Sequence, residues 1–224
     1  MIFVTKEVMI MKTNSAFLIR EKIKEAKDGT IFINSDFADI TNYENIRKNL
    51  SRLADKGEIR RITNGIYEKP KYSKLLKEYI AADPHAIAEA IARSYNWKIS
   101  PSGNTALNLL KLSTQVPATW SYISDGPYKT YQIDSIKIEF KHRTNKDITN
   151  LSNITILVIE ALKFYGEKNI KSDIIGALSN RLTETETTTI LKEAKNSTKW
   201  IFEIFQKIAK EKNLNAGNCQ ISSK

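Results

Sequence analysis

Cysteine is almost missing from this 224-residue chain, which has only Cys219. With no second thiol an internal disulfide is excluded, and a reducing cytoplasm is the natural compartment. Histidine is equally scarce. His85 and His142 are the only two, and neither has a Cys or His neighbour at metal-ligand spacing. Long apolar runs are missing as well. The longest, Ile154 to Ile159, is closed by Glu160, far short of the roughly 20 residues of a membrane-spanning helix. The first residues, Met1 to Glu7, lack the basic-then-apolar order of a signal peptide, and Met9 and Met11 are alternative starts.

Catalytic signatures are lacking too. No serine sits in a Gly-x-Ser-x-Gly elbow. Pro101-Ser102-Gly103-Asn104-Thr105 has the look of an anion-binding helix start, but it lacks the Gly-Lys-Ser/Thr ending of a phosphate-binding loop and reads more simply as a capped helix. Asp36 and Asp39 read as cap and solvent residues. The expectation is no catalytic residue, no metal and no cofactor.

What the chain does have is positive charge. The formal net charge is +10, on an ordinary background of 41% apolar and 27% charged residues. The excess is even: +3 over residues 1–70, +4 over 71–150 and +3 over 151–224. Such spreading suits a polyanion that touches several surfaces, and it also suits plain solvated lysine faces.

The stretch from Tyr43 to Pro70 separates those readings. Ile46, Leu50, Leu53 and Ala54 recur at the spacing of one buried helical stripe. Glu44, Asn45, Lys48, Ser51 and Arg52 fall on the opposite face, with Arg47 on its flank. Gly57 supplies a helix stop. Ile59 to Thr63 then leads into Asn64-Gly65, the dipeptide suited to a tight hairpin. Upstream, Asn14 or Ser15 caps a helix whose inner stripe is Ala16, Ile19, Ile23 and Ala26. A short strand (Thr30 to Ile33) and a short capped helix (Ser35 to Asp39) follow it. Helix, strand, helix, helix, hairpin is the order of a winged helix-turn-helix, filling residues 14–70. Asn45 and Arg52 suit base edges, and Tyr43, Arg47 and Lys48 suit phosphates and groove walls. Strand alternation sends Arg60 and Arg61 to opposite faces, so only one can face a duplex. Asn64, at the wing tip, suits the minor groove or a phosphate.

Beyond Pro70, the basic segment Lys71 to Ile80 reads as helical. Asp83-Pro84 opens another helix, and Pro101-Ser102-Gly103 a third. Period-two segments follow at residues 120–124, 129–133 and 136–142, and a small antiparallel meander is expected from them. Lys141, His142 and Arg143 form a candidate second basic patch. Helices are expected at 154–165 and 171–182, and again near Trp200, Ile201, Ile204, Phe205 and Ile208, with Thr185 to Thr189 in the first turns of that last one. The expected class is α+β: an N-terminal extension (1–13), the winged helix (14–70), a mixed domain with a small antiparallel sheet (71–150), C-terminal helices packed on it (151–212), and a frayed polar tail (213–224).

Several segments together resemble a known family. Ile99-Ser100-Pro101-Ser102-Gly103-Asn104-Thr105-Ala106-Leu107-Asn108 runs on to Leu112-Ser113-Thr114-Gln115-Val116-Pro117. Tyr122 to Gly126 and Ile138 to His142 follow, all downstream of Gly65-Ile66-Tyr67-Glu68-Lys69-Pro70. This series resembles the AbiEi-like antitoxins of type IV toxin–antitoxin and abortive-infection systems, over roughly residues 14–205. The resemblance implies a cytoplasmic bacterial autorepressor whose winged helix binds inverted repeats in its own promoter. It further implies an antitoxin half that counters a nucleotidyltransferase toxin without a stable complex. The implied DNA surface is Tyr43, Asn45, Arg47, Lys48, Arg52, Arg60, Arg61 and Asn64. Thr105 and Gln115 match the second motif, without an assigned chemistry. The chain lacks the Gly-Ser and Asp-x-Asp pattern such a toxin needs for its metal ions, which places it on the antitoxin side. A monomer or weak dimer, cooperative on DNA, is expected. The main alternative is a winged-helix protein-interaction module without specific DNA binding. A phosphoryl-transfer enzyme is a third reading that lacks the clustered carboxylates it needs.

Overall fold

The computed structural model describes residues 15–143 and 151–221. The chain is mixed α+β, with eight α-helices among the described residues, and divides into two compact units, 1–97 and 98–224. The expected N-terminal extension, residues 1–13, lies outside the described residues.

In the first unit, helix α1 spans residues 15–25 and strand β1 spans Ile31–Ile33. A 3-10 turn, Asn34–Phe37, follows, and Asp36 folds back to accept the Ile33 backbone N–H at 2.8 Å. Helix α2 is Tyr43–Asp55. Asn42 caps its start by accepting the Asn45 N–H. Its end is a Schellman closure: Glu58 N–H reaches Leu53 O and Gly57 N–H reaches Ala54 O. That closure needs a left-handed residue, which Gly57 supplies at φ +72°. Strands β2 (Arg60–Thr63) and β3 (Ile66–Glu68) form the hairpin, with a register irregularity between Arg61 and Thr63. The antiparallel sheet has the order β1-β3-β2. Phe32 and Tyr67, paired across it, point into a cluster with Ile19, Ile23, Phe37, Ile46, Leu50 and Leu53.

Lys71 to Ile80 is not helical. Tyr72–Ser73 (β4) and Glu78–Tyr79 (β5) form a two-stranded hairpin, with Lys77 left-handed at φ +55°. A cross-strand edge-to-face pair, Tyr72 on Tyr79 at 5.2 Å between centroids, holds it. Strands of two residues are too short to show a period-two pattern, so the segment carries no strand signal in its sequence.

Helix α3 (Pro84–Tyr95) starts at the expected Asp83-Pro84 cap and ends at Asn96 in the left-handed region. It packs on β1, where Arg93 donates to Ile31 O at 3.2 Å. Ile31 and Ile33 lie on the face of β1 opposite Phe32 and are buried. The first unit therefore runs to Trp97, past the boundary expected at Pro70. One face of β1 is apolar beyond what α1 and α2 cover, and α3 belongs to it.

The second unit opens with β6 (Ile99–Pro101) and α4 (Asn104–Leu109). Strands β7 (Trp120–Ser124), β8 (Lys129–Ile133) and β9 (Ile136–His142) match the period-two segments. Their arrangement is not a meander. The sheet order is β6-β7-β9-β8, and β7 pairs parallel with β9 in the register Tyr122↔Phe140. Turn residues Asp134 and Ser135 close β8 onto β9 antiparallel, Asp134 taking φ +50°, so β9 fills the place between β7 and β8. Thr105 Oγ1 accepts the Ser121 N–H at 2.8 Å and ties α4 to β7. That gives the Pro101–Thr105 motif a structural role.

Helices α5 (Asn153–Tyr165), α6 (Ser172–Arg181), α7 (Glu184–Glu193) and α8 (Lys199–Ile221) complete the unit. Residues 185–189 belong to α7, a separate helix, because Ala194–Asn196 forms a 3-10 turn before α8 begins. Helix α8 continues to Ile221, through residues read as a polar tail. The stripe Ile201, Ile204, Phe205 and Ile208 packs with Val158, Leu162, Leu178 and Ile190. Lys212 donates to Ser179 O at 2.9 Å and to Leu182 O, satisfying carbonyls at the end of α6.

The start of α7 is a capping box. Thr183 Oγ1 accepts the Glu186 N–H, and Glu186 accepts the Thr183 N–H at 2.8 Å. The Thr183 hydroxyl also donates to the Glu186 carboxylate, at 2.9 Å. The bonds that carboxylate accepts, from the Thr183 backbone first and its hydroxyl second, hold it below its ordinary value near 4.5. A group whose folded pKa is depressed stabilises above the unfolded value, and loses that contribution as pH falls through the folded one. Thr183→Ala should therefore lower unfolding free energy by about 1 kcal/mol at neutral pH. The deficit should shrink as pH falls below the ordinary glutamate range, in denaturant titrations. A deficit that is the same at acid and neutral pH would show that the carboxylate takes no part.

Candidate nucleic-acid interface

Helix α2 and the β2–β3 hairpin are brought together by their shared apolar cluster, and a cleft of about 730 Å³ opens beside them. Tyr43 and Arg47 enter it from α2, and Arg61 and Asn64 from the hairpin. Four of the eight sequence-predicted residues therefore meet on one concave surface. Among the described residues no Asp or Glu lines it. Two guanidiniums without a lining carboxylate make a positive recess.

The local geometry explains the placement. Asn34 is 9% exposed and lies at the cleft, and its amide donates to Tyr43 Oη at 3.3 Å. The hairpin turn rests against the same side chain: a Cβ on Gly65 would lie 3.2 Å from Asn34 Nδ2, and Gly65 also sits at φ +75°. Both the contact and the backbone demand glycine there. Arg61 Nη2 donates to Tyr67 Oη at 2.9 Å, with the guanidinium 5.4 Å from the ring centroid. Tyr67 is anchored in the core, so it holds Arg61 at the cleft wall.

The other four predicted residues are placed differently. Asn45 turns its amide back to Thr41 Oγ1 at 3.4 Å. Lys48 lies 3.8 Å from Glu44 in an exposed pair, which is worth little. Arg52 is exposed on the last turn of α2. Arg60 points to the far side of the hairpin, where both donors of its guanidinium edge meet the buried Glu68 carboxylate, Nε at 2.9 Å, and Nη2 also donates to Ile80 O. Of the two consecutive arginines, Arg61 fronts the cleft and Arg60 serves the fold.

The candidate second patch lies in the other unit, at the end of β9. Lys141 pairs with Glu139 at 3.2 Å, and His142 Nδ1 is 2.9 Å from Gly126 O, its ring edge-on to Tyr128. All three side chains are exposed, with local partners engaging the lysine and the histidine.

Asn34, Ser35, Ser94 and Tyr95 at the cleft escaped sequence reasoning. Asn34 is 31 positions from Gly65 and carries no motif, and Ser94 and Tyr95 sit on α3, which was expected in another domain. No described helix is long and apolar enough to cross a membrane. Among the described residues, no three His, Cys, Asp or Glu side chains gather where they could hold a metal ion.

No curated protein matches the chain. The model of DUF6088, a family of unknown function, matches residues 18–190, most of the chain's length, and the protein belongs to that family.

Proposed function

We propose that the N-terminal unit is a winged helix-turn-helix that binds double-stranded DNA. On this reading the protein is a cytoplasmic bacterial autorepressor with antitoxin activity, and catalyses nothing itself. The observation that carries the DNA reading is the shared cleft: Arg47 from α2 and Arg61 with Asn64 from the hairpin face the same carboxylate-free recess. The element order and the three-stranded β1-β3-β2 sheet support that reading. The α2 helix is the recognition element, with Arg52 on its exposed face and the 3-10 turn Asn34–Phe37 preceding it. The antitoxin half rests on the resemblance to AbiEi-like proteins through Ser113-Thr114-Gln115-Val116-Pro117 and its neighbours. It implies control of the protein's own promoter and a nucleotidyltransferase toxin opposed without a stable complex.

Gel retardation of the upstream region of its own gene, against unrelated competitor duplex, tests the DNA reading. Arg52→Ala should weaken specific binding by about 1–3 kcal/mol, as loss of a base contact does. Lys210→Ala, on α8, should leave it unchanged within about 0.5 kcal/mol. Arg47→Ala should lower the slope of log affinity against log salt by about one, as for a single phosphate contact. Equal losses at Arg52 and Lys210 would sink the assigned face. Co-expression with an adjacently encoded nucleotidyltransferase tests the antitoxin half, and growth arrest unrelieved by this protein would reject it. A protein-docking winged helix is the rival reading. It draws support from the exposed hairpin tip, where Leu75 is 90% and Leu76 62% accessible. Co-purification of a partner, with no retarded duplex, would decide for it.

A further inference from the structure

The cleft holds more than a DNA-contacting surface requires. Its floor includes the Asn34 amide, more than nine-tenths buried, whose Oδ1 has no hydrogen-bond partner. A half-satisfied buried amide is destabilising, and it is retained here beside Tyr43 and Tyr67 and under two guanidiniums. The start of α2 borders the recess through Tyr43, with Thr41 just ahead of the Asn42 cap also lining it, so the positive end of the helix dipole adds to the arginines. The volume lies within the range of small-molecule sites, about 300–1,000 Å³. Positive charge at the wall, the exposed Tyr43 ring for stacking and an amide short of one partner are three features of one ligand class.

We propose that this cleft binds a single nucleoside phosphate. The phosphate lies between Arg47 and Arg61, the planar base against Tyr43, and the base edge meets the Asn34 amide. Guanidiniums supply charge-assisted bonds to phosphate oxygens. The phenol face gives stacking that any base accepts, and the amide, whose oxygen and nitrogen can exchange places by rotation, gives preference among bases. The same chemistry is carried by a free nucleotide and by a nucleotide within a DNA strand; the proposal is for the free ligand, and it does not depend on promoter binding.

The full-length protein, without DNA, is titrated calorimetrically with AMP, GMP, CMP and UMP, with their nucleosides, and with inorganic phosphate. At least one monophosphate should bind about tenfold or more tightly than both its nucleoside and phosphate alone, one charge-assisted contact being worth that much. Arg47→Ala, an exposed position, should remove that advantage with the melting temperature unchanged. Asn34→Asp, which keeps the shape and removes the amide donors, should alter the order of preference among the four bases. Phosphate binding as tightly as every monophosphate would overturn the proposal, leaving only charge attraction. So would an Arg47→Ala variant that binds the monophosphate normally, and this holds even should Asn34→Asp fail to fold. Retardation of the upstream duplex is measured in parallel. A retarded duplex without monophosphate binding overturns the free-nucleotide site and leaves the DNA reading intact. Monophosphate binding without retardation supports the site and rejects the DNA reading.

Discussion

Arg60→Ala is expected to cost about 3 kcal/mol of unfolding free energy, within the usual range for breaking a buried ion pair. The Glu68 side chain is 2% exposed and its carboxylate takes both edge donors of Arg60. Removing the guanidinium leaves a carboxylate inside the protein without a cation, and its desolvation is no longer offset. Arg60 is itself 39% exposed, so water entering the gap recovers part of the loss and keeps the figure toward the lower end. Glu68→Gln should cost less, about 1 kcal/mol, because a neutral amide oxygen still accepts from Arg60. Urea titrations of the three proteins give the comparison. A loss for Arg60→Ala of less than about 0.5 kcal/mol, the usual effect at a free surface position, would return Arg60 to the list of candidate DNA contacts.

A fragment ending at Pro70 is expected not to fold, and one ending at Trp97 to unfold cooperatively. The shorter fragment contains every element of the expected winged helix but loses α3, whose Ile87, Ala88, Ala90 and Ile91 are fully buried. It also uncovers Ile31 and Ile33 on β1 and removes the bond from Arg93 to Ile31 O. Each isoleucine so exposed forfeits about 1.5–3 kcal/mol. Ile31 and Ile33 together amount to about 3–6 kcal/mol, much of the roughly 5–15 kcal/mol by which a domain is usually stable. Circular dichroism during thermal unfolding distinguishes the two. A cooperative transition of fragment 1–70 at the midpoint of 1–97 would place the domain boundary back at Pro70. Duplex binding by 1–97, compared with the full chain, then reports whether the second unit contributes to DNA affinity.

Much of the N-terminal fold was legible in the residues. The stripe Ile46, Leu50, Leu53, the Gly57 stop and the Asn64-Gly65 turn all act within a few positions, and each appears in the structure where its local signal lies. Arg60 and Arg61 diverge as alternation requires, but which of them faces the cleft follows from Glu68, whose burial no local pattern announces. The hairpin at Tyr72 to Tyr79 was hidden because its stabilising contact is one aromatic pair between strands too short to show a period. Strands β7, β8 and β9 were recognisable singly. Their order was not, since the parallel register of Tyr122 with Phe140 joins residues 18 positions apart across a strand that a meander would place elsewhere.

By itself, then, the sequence determined most of the helices, the Asn64-Gly65 turn, the basic balance and the lack of disulfide chemistry, because propensity, capping and charge are properties of neighbouring residues. Only the tertiary structure decided that α3 completes the first unit, that Arg60 is spent on Glu68, and that Asn34 meets Tyr43, Arg47 and Arg61 around one recess. Those outcomes depend on which apolar faces remain uncovered after local folding and on which buried polar groups find partners, and both are settled between segments tens of residues apart.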